Sequence, residues 1–188
     1  RCADAARYRG GVTSSPATLW LQAGRERSLA RRHPWVFSGG VARVQGSAEP
    51  GDTVLVRAAD GTALGWAAYS PASQIRARMW TFDPDEQVTP EFVAQRVVAA
   101  AARRTSLLSS GFTDSARLVF SEADGVPGLV ADRYGDTVVA QLTTAGADAW
   151  RETLADALAS LPGASCVYER SDADVREREG LGAQVGLL

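Results

Sequence analysis

The first part of the chain alternates polar and apolar residues over short stretches, as half-buried β-strands do. The clearest stretch is Gln74–Phe82, whose alternate residues would face opposite sides of a sheet. Turn signals separate the stretches, and Asp60-Gly61 is a strong signal for a tight hairpin. Several short strands with glycine and proline turns between them predict a small β-barrel over residues 19–82.

A helical period replaces this alternation after residue 89. Thr89-Pro90-Glu91 combines an N-cap residue, a first-turn proline and an acid, which together begin a helix that we expect to end near Gly111. Strands are predicted at 118–121, 129–133, 137–143 and 165–169, a second helix at 148–161, and a short charged helix at 170–180. After its first helix, the predicted order of three strands, a helix and a fourth strand contains the strand-strand-helix-strand arrangement of an α+β domain.

The predicted fold class is therefore mixed, with a small β-barrel followed by an α+β domain over residues 90–188. Residues 83–89, which begin Asp83-Pro84-Asp85, are expected to form the linker between them. Residues 1–18 are rich in alanine, glycine, serine and arginine without any period, so we expect a disordered tail there.

Composition excludes several classes of protein. With 45% hydrophobic and 22% charged residues, the 188-residue chain has the profile of an ordinary globular protein. It contains no apolar run long enough to span a membrane, so no membrane partner is expected. Its two cysteines are too few for a disulfide scaffold, which favours a cytoplasmic, reducing location.

The charge is distributed unevenly along the chain. Residues 1–82 hold 11 arginines and 5 acids, whereas residues 83–188 hold 9 arginines and 17 acids. The net charge of −2 therefore hides a basic first part and an acidic second part. This asymmetry suggests that one part of the protein meets a polyanion and the other does not.

Few residues are available for catalysis. His33 is the only histidine, which excludes a multi-histidine metal site. Because Pro34 follows it, we expect a turn or RNA-contacting residue and not the general base of a Ser-His-Asp or Cys-His arrangement. Cys166 lies within a predicted strand and is expected to be an inert thiol. Glycine-rich phosphate-binding loops are not found either. We therefore predict neither a catalytic residue nor a metal ligand in this chain.

A cluster of acids surrounds the glycine-rich turn at 125–128. Glu122, Asp124 and Asp132 could bind a metal or act as acid and base. Acids in turn-rich segments more often cap turns and pair with arginines, and we favour that interpretation.

Basic and aromatic residues lie together around a single helical turn that we predict near Ser28–Arg32. Arg31, Arg32 and His33 precede Trp35, and two further arginines lie just upstream. A guanidinium grips phosphate with two donors and stacks on bases, while an indole offers a face for stacking. Both RNA binding and a solvated charged surface with Trp35 in the core remain open.

The strand at 74–82 carries two more arginines on one face. Arg76 and Arg78 would lie about 6–7 Å apart at the usual strand rise, with no acid between them on that face. We expect this face to be exposed and to bind the RNA backbone. The alternative is that acids from the helix at Glu91, or from another strand, neutralise the pair in the folded protein.

Four segments, in order, closely resemble a known family. They are R-R-H-P-W-V-F-S-G at 31–39, Y-S-P-x-S-Q-I-R-x-R at 69–78, S-E-A-D-G-V-P-G-L-V-A-D-R-Y at 121–134 and E-R-S-D…R-x-x-E-G at 169–180. The family is the bacterial 23S rRNA large-subunit methyltransferase I type, whose members are S-adenosylmethionine-dependent cytosine-C5 methyltransferases. The resemblance runs from Leu19 to about Gly182.

The resemblance implies three domains, of which two are expected in this chain. These are an N-terminal PUA domain and a small central α/β domain; a Rossmann-like domain with the cofactor loop and the catalytic cysteine would follow and is expected to be absent. The residues that match PUA segments implied to contact RNA are Arg31, Arg32, His33, Trp35, Ser73, Gln74, Arg76 and Arg78. The central-domain residues implied to face substrate or a domain interface are Glu122, Asp124, Asp132, Arg133, Arg170, Asp172 and Arg176.

The implied function is the RNA-recognition portion of such a methyltransferase. 23S rRNA would be its partner and a homodimer is one expected assembly; S-adenosylmethionine would serve the whole enzyme but would not bind this chain. The parent reaction would use a thiolate that adds to the cytosine ring and activates C5. Two alternatives stay open: a free-standing PUA RNA-binding protein without catalysis, and the PUA-bearing part of another RNA-modifying enzyme.

Overall fold

The computed structural model describes residues 16–188, and its first part is a six-stranded mixed sheet with one short helix. The strands are β1 (Thr18–Leu21), β2 (Trp35–Phe37), β3 (Val41–Gln45), β4 (Thr53–Arg57), β5 (Ala63–Tyr69) and β6 (Ile75–Thr81), and the helix is α1 (Arg27–Ala30). Their order in the sheet is β2-β6-β5-β4-β1-β3, in which only β1 and β4 are parallel. The edge strands β2 and β3 do not pair, so the sheet is a half-barrel.

Alternation along the strands builds the core of this domain. Leu19 and Leu21 of β1 and Val54 and Val56 of β4 are buried in one cluster, while their neighbours are less buried. This inward and outward pattern follows from the two-residue period that the sequence shows. Thr18 already lies in β1, so the tail predicted for 1–18 is too long by at least this residue; residues 1–15, with Cys2, lie outside the described part.

The second part is an α+β domain built on a five-stranded sheet. Its elements are α2 (Pro90–Ala102), α3 (Thr105–Ser109), β7 (Ser115–Phe120), β8 (Leu129–Tyr134), β9 (Thr137–Leu142), α4 (Ala145–Ala149), α5 (Arg151–Ala159), β10 (Cys166–Ser171) and β11 (Gln184–Leu187). The strand order is β11-β10-β9-β8-β7, with β9 and β10 parallel and the other pairs antiparallel. Helices α2 and α5 bury Val93, Val97, Leu154 and Leu158 in a core shared with the sheet.

Local signals predicted the helix starts better than the helix ends. The Thr89 hydroxyl accepts a hydrogen bond from the Phe92 amide at 3.2 Å, which confirms the predicted N-cap. The helix expected to reach Gly111 instead breaks after α2 and resumes as α3. The helix predicted over 148–161 is likewise divided at Trp150 into α4 and α5, and the charged segment forms a 3-10 helix at Asp174–Glu179.

Strand β6 belongs to both cores, which joins the two domains tightly. Its Ala77 and Met79 lie in the core of the half-barrel, whereas Trp80 lies in the core of the second domain. Helix α4 packs on β5, where a Cβ placed on Gly146 would lie 2.4 Å from Cβ of Ala68. The linker region is also anchored, because the Trp66 indole donates to the Pro84 carbonyl at 2.9 Å.

Candidate nucleic-acid interface

A short helix and a tight turn present the basic residues that precede β2. Leu29 is buried and anchors α1, while the amides of Arg31 and His33 both donate to the Ser28 carbonyl, at 3.1 and 3.0 Å. Arg32 takes a left-handed conformation with φ of 62°, and its guanidinium lies over the Phe82 ring at 5.3 Å. Residues 31–33 are consequently all exposed at one corner of the half-barrel.

Three aromatic rings lie next to this turn. The ring centroids of His33 and Trp35 are 5.7 Å apart, those of Trp35 and Phe37 are 6.1 Å apart, and both pairs are nearly perpendicular. Phe37 is 51% exposed although it is large and apolar. Exposed aromatic faces beside arginines are the arrangement on which unpaired bases stack.

A cleft of about 390 Å³ separates α1 from β2 beside these rings. Arg25 and Ser28 line one side, Trp35 and Phe37 the other, and Gly39 lies at its end. Leu21, Leu29 and Val36 also line the cleft, so it combines apolar and aromatic side chains with one cation and one hydroxyl, as ligand-binding clefts commonly do.

The arginines of the two domains differ in their partners. Within residues 16–188, seven arginines of the first domain have no carboxylate within 4.0 Å: Arg25, Arg27, Arg31, Arg32, Arg43, Arg57 and Arg76. Most arginines of the second domain are ion-paired there, for example Arg103 and Arg104 with Asp124. Uncompensated positive charge is thus concentrated on the first domain, where a polyanion would meet it.

Arg78 does not lie on this surface, which corrects the expectation that its face of β6 is exposed. It is 6% exposed and lies at the junction between the domains. Its Nε is 3.2 Å from Glu122 Oε1 and its Nη1 is 2.8 Å from Glu179 Oε1. Acids distant in sequence therefore neutralise Arg78, but they come from two 3-10 turns and not from the helix at Glu91 or from another strand, which the alternative interpretation had named.

The other residues of that segment also divide between surface and junction. Ser73 is buried, which corrects its placement on an exposed surface, and its hydroxyl accepts from the Ile75 amide at 3.1 Å. Arg76 is half-buried and donates to the Pro71 carbonyl. Gln74 stays exposed, and its Oε1 accepts from the Ser38 hydroxyl at 3.2 Å. Arg76 and Arg78 therefore do not form one anion-binding pair.

Glu179 is the centre of the buried junction. Its Oε2 accepts from the Ala145 amide at 3.3 Å, in addition to the contact of Oε1 with Arg78. Burial raises the pKa of Glu179, but hydrogen bonds from Ser70 and Ser73 and the charge of Arg78 outweigh it, so the net pKa lies below the ordinary value. The carboxylate is consequently charged at neutral pH and holds both domains together.

Glu122 connects this junction to the candidate surface. Its Oε1 accepts from the Trp35 indole Nε1 at 2.8 Å as well as from Arg78, and its Oε2 accepts from the Ser121 hydroxyl. Ser121 itself has φ of 49° and accepts from the Gly128 amide at 2.8 Å, which fixes the turn. Residues from all four family-like segments therefore meet here, since Trp35, Arg78, Glu122 and Glu179 come one from each.

The two other acids near the glycine-rich turn have structural partners. Asp124 contacts Arg103 and Arg104, at 2.6 and 2.9 Å, and accepts from the Phe120 amide. Burial raises the pKa of Asp124, but these hydrogen bonds outweigh it and the net pKa lies below the ordinary value. Asp132 pairs with Arg117 at 2.8 Å. The interpretation of these acids as turn caps and arginine partners is confirmed.

The remaining predicted central-domain residues do not contact Arg78 or Glu122, but one of them, Arg176, stabilises the segment that carries Glu179. Arg133 donates to the carbonyls of Gly135, Pro162 and Gly163, and Arg170 pairs with Asp172 on the surface. Arg176 is 1% exposed and donates to the carbonyls of Gly182 and Leu142 and to Asp148. It thereby fixes the segment that delivers Glu179.

Sequence reasoning missed two residues of this site. Glu179 stands in the quoted E-R-S-D…R-x-x-E-G segment but was not singled out, because nothing local indicates that its partner is Arg78. Phe37 is predicted from the sequence only as part of a strand, although its position two residues after Trp35 places both on the same face of β2. Among residues 16–188 there is no group of three or more histidine, cysteine or acidic side chains that could hold a metal ion. No helix in this part of the chain is long and apolar enough to cross a membrane.

Comparison with known protein domains first identifies the class of domain to which the half-barrel belongs. Residues 19–82 match a family model described as a PUA-like domain, so the half-barrel is a PUA-like domain. The fold is also similar to two solved structures, a proposed SAM-dependent methyltransferase from Streptococcus mutans and a proposed methyltransferase crystallised with SAH. Their TM-scores are 0.69 and 0.70 at 17% identity, over 81% of this chain and 40% of each of those chains.

Curated relatives then confirm the resemblance seen in the four segments. The chain is 49% identical over 168 residues to the Ribosomal RNA large subunit methyltransferase I of Shewanella amazonensis, which covers 89% of this chain and 42% of that protein. It is 47% identical over 170 residues to the protein of the same name from Shigella boydii serotype 4, covering 90% and 43%. The chain thus spans about two-fifths of the length of these relatives.

Proposed function

We propose that this chain is the RNA-recognition portion of an S-adenosylmethionine-dependent methyltransferase that modifies C5 of a cytosine in 23S rRNA. The relatives' names support the enzyme class and the ribosomal substrate. The cytosine C5 specificity rests on the resemblance of the four segments. In this proposal the PUA-like domain supplies most of the RNA contact, and the acidic domain positions it relative to the catalytic part of the whole protein.

The observation that carries the proposal is the contrast in charge pairing between the two domains. Arginines without carboxylate partners surround the aromatic group of His33, Trp35 and Phe37, whereas those of the second domain are mostly neutralised within it. Phosphates would take the place of the missing carboxylates, and exposed bases would stack on the rings. A merely solvated surface would not require aromatic rings beside the arginines.

The described residues do not fit S-adenosylmethionine. The helix that follows a strand most closely is α4, and its first amide, that of Ala145, is already bonded to Glu179. No glycine-rich turn between a strand and a helix lies within residues 16–188. We therefore expect the chain to neither bind the cofactor nor methylate RNA, and calorimetric titration that detects micromolar binding would contradict this.

The binding part of the proposal is tested with the chain itself. Fluorescence anisotropy should give tighter binding to transcribed domains of 23S rRNA than to bulk transfer RNA at the same salt concentration, because both competitors carry phosphate but only one carries the target. Equal affinity for both RNAs would contradict recognition of 23S rRNA and leave only electrostatic attraction.

The reaction part is tested on the whole protein. Deletion of its gene should remove one 5-methylcytidine from 23S rRNA, as measured by mass spectrometry of nucleosides, and the intact gene should restore it. If all modified nucleosides are unchanged, the chain is part of a binding protein without catalysis. Loss of a different modified nucleoside would place it in another RNA-modifying enzyme.

A further inference from the structure

We infer that Glu122 is a positioning residue for RNA binding, because it orients the Trp35 ring of the PUA-like domain from the neighbouring domain. The inference rests on the proposed RNA-binding function. It adds that the affinity for RNA depends on a contact across the junction between the two domains. Glu122 itself need not touch RNA.

The geometry at Glu122 leaves its carboxylate little freedom. Oε1 accepts from Trp35 Nε1 at 2.8 Å and lies 3.2 Å from Nε of Arg78, while Oε2 accepts from the Ser121 hydroxyl. The Glu122 side chain is 17% exposed and that of Arg78 is 8% exposed. Hydrogen bonds to a charged acceptor in such a shielded place are stronger and more directional than those in water.

The indole N–H of the partner ring is held from the neighbouring domain, while the ring itself lies at the edge of its own sheet. Trp35 lies on β2, a three-residue strand at the edge of the sheet, and its ring contacts His33 and Phe37 edge-on. An edge-on contact leaves the rotation about the side-chain bonds weakly restrained. The hydrogen bond from Nε1 to Glu122 fixes the plane of the indole, and therefore the face that a base would meet.

Electrostatics alone predicts that removing Glu122 strengthens RNA binding. Glu122 is a negative charge at the margin of a basic surface, so its loss should strengthen the attraction of RNA phosphates. A positioning role instead predicts weaker binding when the acceptor is removed, in spite of the gain in positive charge. The sign of the change therefore distinguishes the two roles.

The test compares Glu122→Ala with Glu122→Gln in the full chain. Both substitutions remove the same charge, but the glutamine amide keeps an oxygen that can accept from the indole. The probe is a fluorescein-labelled RNA hairpin of about 20 nucleotides with a cytidine-containing loop, measured by anisotropy. We expect about three- to ten-fold weaker binding for Glu122→Ala and binding within about two-fold of the unsubstituted chain for Glu122→Gln, since stacking of one base contributes on this scale.

A second pair of variants shows whether the effect passes through the ring. Trp35→Phe keeps an aromatic face but removes the indole N–H, so adding Glu122→Ala to it should cause no further loss of affinity. Two-dimensional NMR of the indole N–H groups provides a readout independent of RNA. The Trp35 signal, assigned by its absence from Trp35→Phe, should shift strongly in Glu122→Ala and little in Glu122→Gln.

Three outcomes are distinguishable. If the unsubstituted chain does not bind the hairpin or 23S rRNA, the proposed function fails. If it binds and Glu122→Ala binds equally or more tightly while still folded, the positioning role is wrong. If Glu122→Ala and Glu122→Gln lose affinity equally, the ion pair of Glu122 with Arg78 and not the orientation of Trp35 is what matters, which also overturns the inference.

Discussion

Replacing Arg78 with alanine should destabilise the protein far more than it weakens RNA binding. The substitution leaves Glu122 and Glu179 facing each other at the domain junction without their shared cation. The Glu179 side chain is 1% exposed, so water cannot replace the guanidinium there. Removing one partner from a buried ion pair costs about 3–5 kcal/mol.

This cost translates into a large shift in melting temperature. For a chain of this size, each kcal/mol lowers the melting temperature by about 2–4 °C. Arg78→Ala should therefore melt about 6–20 °C below the unsubstituted protein when followed by circular dichroism.

Arg76→Ala is the matched control from the same strand. Its guanidinium contacts the Pro71 carbonyl and no carboxylate within residues 16–188, so its loss should cost no more than about 1 kcal/mol. The reasoning would be refuted if both variants melted close to the unsubstituted protein and Arg78→Ala lost RNA affinity instead.

Three further predictions follow from the surface, the junction and the packing between domains. Replacing both Arg31 and Arg32 with alanine should weaken RNA binding by about 1–3 kcal/mol, with little change in melting temperature. The slope of the logarithm of affinity against the logarithm of salt concentration should fall by the equivalent of one or two phosphate contacts. Unchanged affinity in a salt titration would contradict this. The pKa of Glu179 is lower in the folded protein than its ordinary value of 4.5, so its stabilisation is present above 4.5 and is lost as the pH falls through the folded pKa. The free energy of urea unfolding of Glu179→Gln should therefore depend less on pH below 4.5 than that of the unsubstituted chain. Gly51→Ala should lower the free energy of unfolding by about 1–3 kcal/mol more than Gly61→Ala does. Both glycines have φ near 90°, but only a Cβ at position 51 would clash, at 2.6 Å, with the neighbouring domain. Equal free energies of unfolding for the two variants would disprove this close packing.

Local features were the part of the fold that the sequence predicted well. The Thr89 cap and the opposite facing of Ala77 and Trp80 in β6 depend on neighbours within a few residues, so both are visible in one stretch of chain. Strand β11 was missed because Gln184–Leu187 is short and contains a glycine; its pairing with β10 is what makes it a strand.

Long-range contacts explain why two residues predicted to contact RNA, Ser73 and Arg78, are buried instead. The period of β6 correctly separated Arg78 from Ala77 and Met79, but it could not show that a second domain covers the Arg78 side. The acids that neutralise this arginine, Glu122 and Glu179, come from distant segments. The turn at 31–33 was easier to place, because a basic segment that ends in His33-Pro34 has no apolar side to bury.

The segment between the two domains is held more tightly than the sequence suggests. The sequence predicts residues 83–89 as a linker, and cleavage of a simple linker would release two separate fragments. The junction and the shared strand β6 predict that fragments cut at 83–85 remain associated in native buffer.

Ultraviolet cross-linking of the chain to 23S rRNA, followed by mass spectrometry of the linked peptides, tests the central proposal most directly. Aromatic side chains stacked on bases should cross-link, so the account predicts links at Trp35 and Phe37, which disappear when Arg25, Arg31 and Arg32 are changed to glutamate. Links confined to the acidic domain, or links at the aromatic residues that survive the charge reversal, would contradict the assignment of RNA recognition to this surface.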